Sequence, residues 1–324
     1  MSQLRLNPLT GRWVTIAVGR SARPGDLTSR PLPVQADTSR PCPFCRGNEE
    51  ATPPALETYD RRGEWVARVV PNRYPAFDGD DPLHVHNLGP VFTQAAASGI
   101  HEVLVFTADH GASWADLDDA QAAVTMAAIR DRLEAHATRP QIRYTQVIVN
   151  HGREAGASLE HPHAQLLGVP FVPGEIAEEE AGFRRFEGSC LLCTTLAAEE
   201  SAHHRVVHAD DSVVVVCPFW SGTPFEMVVL PRAHEVHVTD ASPSDVAAVG
   251  RALRDVLARL RSCVGDVAYN LVFHTAPHPH PGPYHWHVHV LPRLTSVAGF
   301  EQGTGVPIDI VAPEMAAHQL ALVG

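Results

Sequence analysis

Two histidine clusters, His161-Pro-His163-Ala-Gln165 and His285-Trp-His287-Val-His289, close two stretches whose landmarks fall into register. His110 lies 51 residues before His161 (161 − 110), and His234 lies 51 before His285 (285 − 234). Glu102 precedes His110 by 8 (110 − 102), and Glu226 precedes His234 by 8 (234 − 226). Strand-like runs end at Asn150 and His274, each 11 residues before its cluster (161 − 150 and 285 − 274). Helical spacing recurs between these landmarks, at Ala122, Met126, Ile129 and Leu133, then at Val246, Val249, Leu253, Val256 and Leu260. Ser242 as a cap, with Pro243 and Asp245 in the first turn, marks the start of the second helix. A repeat of this length restricts the chain to two copies of one supersecondary unit. The fold class read from it is α+β: two antiparallel-sheet halves, each with a packed helix, joined edge to edge. The expected boundary lies in the acidic segment 173–188, giving halves 1–175 and 176–324.

Each cluster has a Cys-x-x-Cys pair upstream, Cys42 and Cys45, then Cys190 and Cys193. One such pair is often two small buried hydrophobes. Two pairs with histidines at matched offsets read as metal ligands, because thiolate and imidazole together suit zinc. The sets are Cys42, Cys45, His110 and His161, then Cys190, Cys193, His234 and His285. Four protein ligands fill a tetrahedron, so both sites read as structural, and a zinc hydrolase is excluded for want of an open position.

That arrangement leaves His163 over. Residues two apart on an extended segment share a side, so a metal-held His161 would fix His163 beside it. Pro162 stiffens the link. A neutral imidazole held in place is a competent nucleophile toward phosphorus. Gln165 falls on the same side, where its amide can donate to a phosphoryl oxygen. The small residues from Gly152 to Ser158 offer backbone amides for a phosphate, a weak signal taken alone. The second cluster lacks the Pro and Gln, so one reactive centre per chain is expected.

Bulk properties set the limits. The net charge of −12 argues against a nucleic-acid surface, and no apolar run has the ~18 residues of a membrane span. The first residues lack the apolar core of a signal peptide, so a cytoplasmic location is expected.

Taken with the Cys42 pair, the Phe106-to-His110 stretch and the opening RLNPLTGRWV, the His161-to-Gln165 motif resembles the galactose-1-phosphate uridylyltransferases of the histidine triad superfamily. The resemblance spans nearly the whole chain. It implies that His163 becomes nucleotidylated and that Cys42, Cys45, His110 and His161 bind zinc. Phosphate and nucleotide contacts map onto Asn72, Asn150, Gly156, Ser158 and Gln165, and an arginine pair maps onto Arg20 and Arg23. It implies ping-pong transfer between a UDP-hexose and a hexose 1-phosphate, in a homodimer whose partner chain enters each site. Some members bind iron through a Glu and three histidines, which map onto Glu179, His274, His287 and His289. Zinc at the second cysteine set is preferred here, since its ligands match the first half in kind.

Two departures bear on specificity. Phe300 and Glu301 match the later part of a C-terminal sugar-contacting segment, but Thr295 and Ser296 stand where galactose-specific members have Lys-Phe. Asn72-Arg73-Tyr74 replaces the Asn-Asp-Phe of uridylyl-specific members. The first feature resembles relatives that transfer adenylyl groups as ADP-glucose phosphorylases with two zincs, and the second leaves the base open between uracil and another. A dinucleoside-tetraphosphate phosphorylase differs from these only in its acceptor. A non-enzymatic, zinc-stabilised nucleotide-binding module is the alternative from another class.

Overall fold

Runs of β-branched and aromatic residues in this chain become strands, and their pairing displays the repeat directly. The computed structural model describes residues 2–22 and 41–323. In chain order the elements begin β1 (Gln3–Leu6), β2 (Trp13–Ile16), β3 (Glu57–Arg61), β4 (Glu64–Pro71), β5 (His86–Asn87), β6 (Thr93–Gln94) and β7 (Ile100–Val105). Next come α1 (Asp119–Ala137), β8 (Tyr144–His151), β9 (His163–Val169), α2 (Gly174–Arg185) and α3 (Leu191–Ala202). Then follow β10 (Val206–Ala209), β11 (Val213–Val216), β12 (Met227–Pro231), α4 (Pro243–Val264), β13 (Tyr269–His274) and β14 (His287–Pro292). The chain closes with α5 (Gly299–Thr304), β15 (Ile308–Asp309) and α6 (Pro313–Leu322).

Ten strands form one antiparallel sheet in the order β10-β11-β12-β14-β13-β8-β9-β7-β4-β3. Read from its two edges inward, the order is the same: β3-β4-β7-β9-β8 and β10-β11-β12-β14-β13. The duplication is therefore a palindrome, and the halves do join edge to edge, through β8 and β13 from Tyr269↔His151 to Phe273↔Val147. The small hairpin β5-β6 lies in the longer stretch of the first half.

The two repeated helices, α1 and α4, lie against one face of this sheet and against each other. Met126 and Ile129 of α1 share a core with Leu253 and Val256 of α4, with Ala164 and Leu166 of β9, and with Val288 and Val290 of β14. Asp118 caps α1 and Ser242 caps α4, each accepting from a backbone N–H in the first turn. Gly250 lets the helices cross closely, because a Cβ there would lie 2.8 Å from Met126 and 2.9 Å from the Ala122 carbonyl oxygen.

One helix per half accounts for α1 and α4 but not for α2 and α3. These two cover the opposite face of the second half, where Phe183, Leu191 and Leu192 pack with Val214 and Val216 of β11. Val213 and Val215 of the same strand enter the main core instead. A strand with four valines in a row has no polar face, so both of its sides must be buried.

Candidate active site

The period of two in β9 sends Ala164 and Leu166 into the helix-side core and leaves His163 and Gln165 on the open face. His163 is buried, and its Nδ1 lies 2.8 Å from the His161 carbonyl oxygen. A carbonyl only accepts, so Nδ1 carries the ring proton and Nε2 keeps the lone pair. Burial pushes the His163 pKa below its ordinary value, and the bond to His161 works the other way. The Phe44 ring stands 5.3 Å from the His163 ring and excludes water from that side.

His161 is pinned in a complementary manner. Its Nε2 donates to the Thr107 carbonyl at 2.9 Å, which turns Nδ1 toward Cys45 Sγ at 3.6 Å. Burial lowers its pKa to about 4, so the ring is neutral and able to ligate. Cys45 Sγ lies 3.3 Å from His110 Nδ1. The second half repeats this: His285 Nε2 donates to Pro231 at 3.0 Å, and Cys193 Sγ lies 3.5 Å from both His285 Nδ1 and His234 Nδ1. A tetrahedral zinc site with ordinary bond lengths has S···N edges of about 3.6 Å, and these spacings match it. All four cysteines are free thiols. In each set the donor atoms lie within 4.8 Å of one another, so each could hold a metal ion.

Glu179, His274, His287 and His289 form a third such group. The structure therefore assembles both second-half sets at once. His274 Nδ1 lies 2.9 Å from Glu179 Oε1, and the Tyr284 hydroxyl donates to Glu179 Oε2 at 2.6 Å. Burial alone would raise the Glu179 pKa, but the three imidazoles bring it well below the usual carboxylate range. His287 Nε2 faces His289 Nε2 at 3.1 Å.

Two cavities meet at His163. One, of about 500 Å3, is lined by Cys42, His110, Asn150, Arg153, Ser158 and His163. The other, of about 510 Å3, is lined by Phe44, Asn72, Arg73, Tyr74, Gln165 and His163. Ser158 lines both. The Gly152-to-Ser158 loop is a tight turn, and the amides of Ala155, Gly156 and Ala157 already donate to carbonyls within it. Gly152, Arg153, Ala157 and Ser158 of this loop line the first cavity beside His163. Gly156 contributes a left-handed backbone (φ 87) rather than a cavity wall. Asn150 is fixed across the junction between the halves, its Oδ1 accepting from Asn270 Nδ2 at 2.7 Å.

The remaining residues singled out in the sequence are elsewhere. Arg20 sits on the short turn Val18–Ala22 and lines neither cavity, and Arg23 lies outside the described residues. Phe300 and Glu301 are on α5 and line neither cavity. Nearby Gly305 and Pro307 line a different cavity, of about 350 Å3, beside Glu179 and His274.

The model for the galactose-1-phosphate uridyl transferase N-terminal domain matches residues 1–173. The chain belongs to that family. The ADP-glucose phosphorylase of Arabidopsis thaliana is 31% identical over 96% of this chain and 90% of its own. The galactose-1-phosphate uridylyltransferase of Thermotoga maritima is 28% identical over 99% of this chain and 98% of its own. The crystal structure of the Arabidopsis enzyme with bound ADP-glucose superposes with a TM-score of 0.85, at 30% identity and complete coverage of both chains. A uridylyltransferase structure gives 0.76, at 26% identity over 100% of this chain and 98% of that one.

In this transferase two neighbours of the site were not singled out in the sequence. Phe44 lay in plain view between the cysteines of the first pair. His101 lies 3.0 Å from Gln165 Oε1 and 3.1 Å from Asn72 Nδ2. Its signal was a position on the strand-like run before His110, two residues from Val103, which pairs with Gln165.

Proposed function

We propose that the protein is a hexose-1-phosphate nucleotidylyltransferase working through a covalent intermediate on His163, with a UDP-hexose as donor. The observation that carries this reading is the aim of His163 Nε2: an unprotonated nitrogen of a neutral imidazole, where two cavities join. Nε2 attacks the α-phosphorus of the nucleotide sugar. The N–P bond forms as the bond to the bridging oxygen breaks, and hexose 1-phosphate leaves as an anion. An oxygen of a second hexose 1-phosphate then takes the nucleotidyl group and frees His163. The leaving group needs no added proton, so positioned donors suffice for charge stabilisation. Gln165 and Ser158 fill that role, with Asn150 and Arg153 on the phosphate side and Asn72 in the cavity read as the nucleoside side.

Cys42, Cys45, His110 and His161 would hold one zinc, and Cys190, Cys193, His234 and His285 a second. Zinc would supply folding energy and hold the His161 ring, whose carbonyl orients His163. Glu179, His274, His287 and His289 would take a further ion, iron among the candidates. The halves divide at 175/176. The enzyme works as a homodimer in the cytoplasm, where the reducing poise keeps ligand thiols free.

A second reading, adenylyl transfer from ADP-glucose to phosphate, is favoured by Thr295 and Ser296 in place of Lys-Phe and by Asn72-Arg73-Tyr74. One experiment tests both. The purified protein is incubated with UDP-glucose and, separately, with ADP-glucose, and its intact mass is measured. The expected result is an adduct of one nucleoside monophosphate that is lost in His163→Ala. The base of the adduct chooses between the readings, and the absence of an adduct with either donor would overturn both.

A further inference from the structure

The ring of His101 touches two site residues, and its hydrogen bonds fix its tautomer. The backbone N–H of Ala76 points at Nδ1 from 3.1 Å. An amide N–H only donates, so Nδ1 must hold a lone pair, and the neutral ring carries its proton on Nε2. That proton faces Gln165 Oε1 at 3.0 Å. His101 and Gln165 are a diagonal pair on adjacent strands: Val103 is opposite Gln165, and His101 is opposite Leu167.

An isolated glutamine amide can present either its oxygen or its nitrogen to a ligand. Here the oxygen is engaged by His101, which leaves the amide N–H groups for the cavity that Gln165 and His163 both line. Asn72 is set by its own turn. Its Oδ1 accepts from the Tyr74 amide at 2.9 Å. Its Nδ2, although 3.1 Å from His101 Nε2, meets a donor there and keeps its hydrogens for a ligand acceptor.

We propose that His101 is a positioning residue for nucleotidyl transfer, holding Gln165 with its N–H groups toward the phosphoryl oxygens. The proposal rests on the transfer reading of His163, so its test carries an arm that needs no turnover. His101→Asn keeps an acceptor for the Ala76 amide and loses the donor that reaches Gln165. His101→Gln restores a donor at the Nε2 position.

In single-turnover labelling of His163, His101→Asn slows the reaction about tenfold with donor affinity nearly unchanged, the scale of one lost hydrogen bond. His101→Gln recovers most of that rate. In a Gln165→Ala background, His101→Asn has almost no further effect, because its partner is already gone. A full tenfold loss in that background, or no rescue by Gln, would overturn the proposal. The turnover-free arm reads the 15N imidazole shifts of His101. A proton on Nε2 is expected, and a proton on Nδ1 overturns the assignment even in a protein that never labels. Failure of wild-type labelling itself sinks the transfer reading instead.

Discussion

The two His-x-His motifs show how a few side chains give two copies of one motif different surroundings. His163 and His287 share the same anchor, Nδ1 to the carbonyl two residues back, at 2.8 and 2.9 Å. They differ in what Nε2 meets. In His163 it opens on two cavities; in His287 it faces His289, and the ring is wholly buried. Burial drives the His287 pKa down to about 3. A buried carboxyl elsewhere gives a sharp pH prediction. Asp309 is completely buried, Oδ1 accepts from the Val311 amide at 2.9 Å, and Oδ2 has no partner. Burial first, then nearby Glu226, raises its pKa to about 8, against a partial offset from the Val311 bond. The folded chain thus holds this proton while the unfolded chain releases it near pH 4, so stability falls as pH rises from 4 to 8 and then levels. Asp309→Asn removes that loss. Its gain over wild type should grow across that window, reaching on the order of 2–5 kcal/mol above pH 8. Urea midpoints at pH 5, 7 and 9 check this, and a gain that does not change with pH would count against it. Spacing in the sequence was enough to bring His161, His163 and Gln165 to one place, because a period of two depends only on the strand. His101 stayed hidden, since its contact depends on the register between β7 and β9, which no local pattern reveals.

At the scale of elements, the repeat was legible because each landmark sat at a fixed offset from a strand or helix end. The α1–α4 packing that unites the halves was not, as it depends on one small residue. Gly250 brings the α4 backbone against the Ala122 carbonyl, and Trp114 Nε1 donates to the Gly250 carbonyl at 3.1 Å. Gly250→Val forces the helices apart against backbone atoms that cannot rotate away. The substitution should cost about 2–4 kcal/mol despite the better helix propensity of valine. A denaturant titration would show a lowered midpoint at an unchanged slope, and an unchanged or raised midpoint would contradict the close crossing. The additional helices α2 and α3 follow from the unbroken valine run of β11. That run was visible in the sequence, but which elements would cover it was not. Glu179 shows the consequence for function: it arrives on α2, and joins His274 of β13 with His287 and His289 of β14 in the third group of candidate ligands.

At the scale of the whole molecule, some residues expected at the site do not line its cavities. His163, Gln165 and Ser158 lie together in one half, whereas Phe300 and Glu301 project from the other on α5, with Phe300 about half exposed at 52%. Phe300 and Glu301 line neither cavity at His163 in their own chain, so in the proposed homodimer only the partner's copy of this pair is left to serve that site. If α5 of one chain completes the cavity of its partner, two different defects can cancel. Chains carrying His163→Ala are inactive, but they still offer an intact Phe300 and Glu301. Chains carrying Phe300→Ala with Glu301→Ala keep His163 but offer no complement. Refolded together in equal amounts, half of the dimers are mixed, and each mixed dimer holds one complete site out of two. Activity should return to about a quarter of wild type, as twofold symmetry requires. Each variant refolded alone should stay near its own low baseline. If the mixture gives only the average of the two variants, Phe300 and Glu301 act within their own chain or not at all.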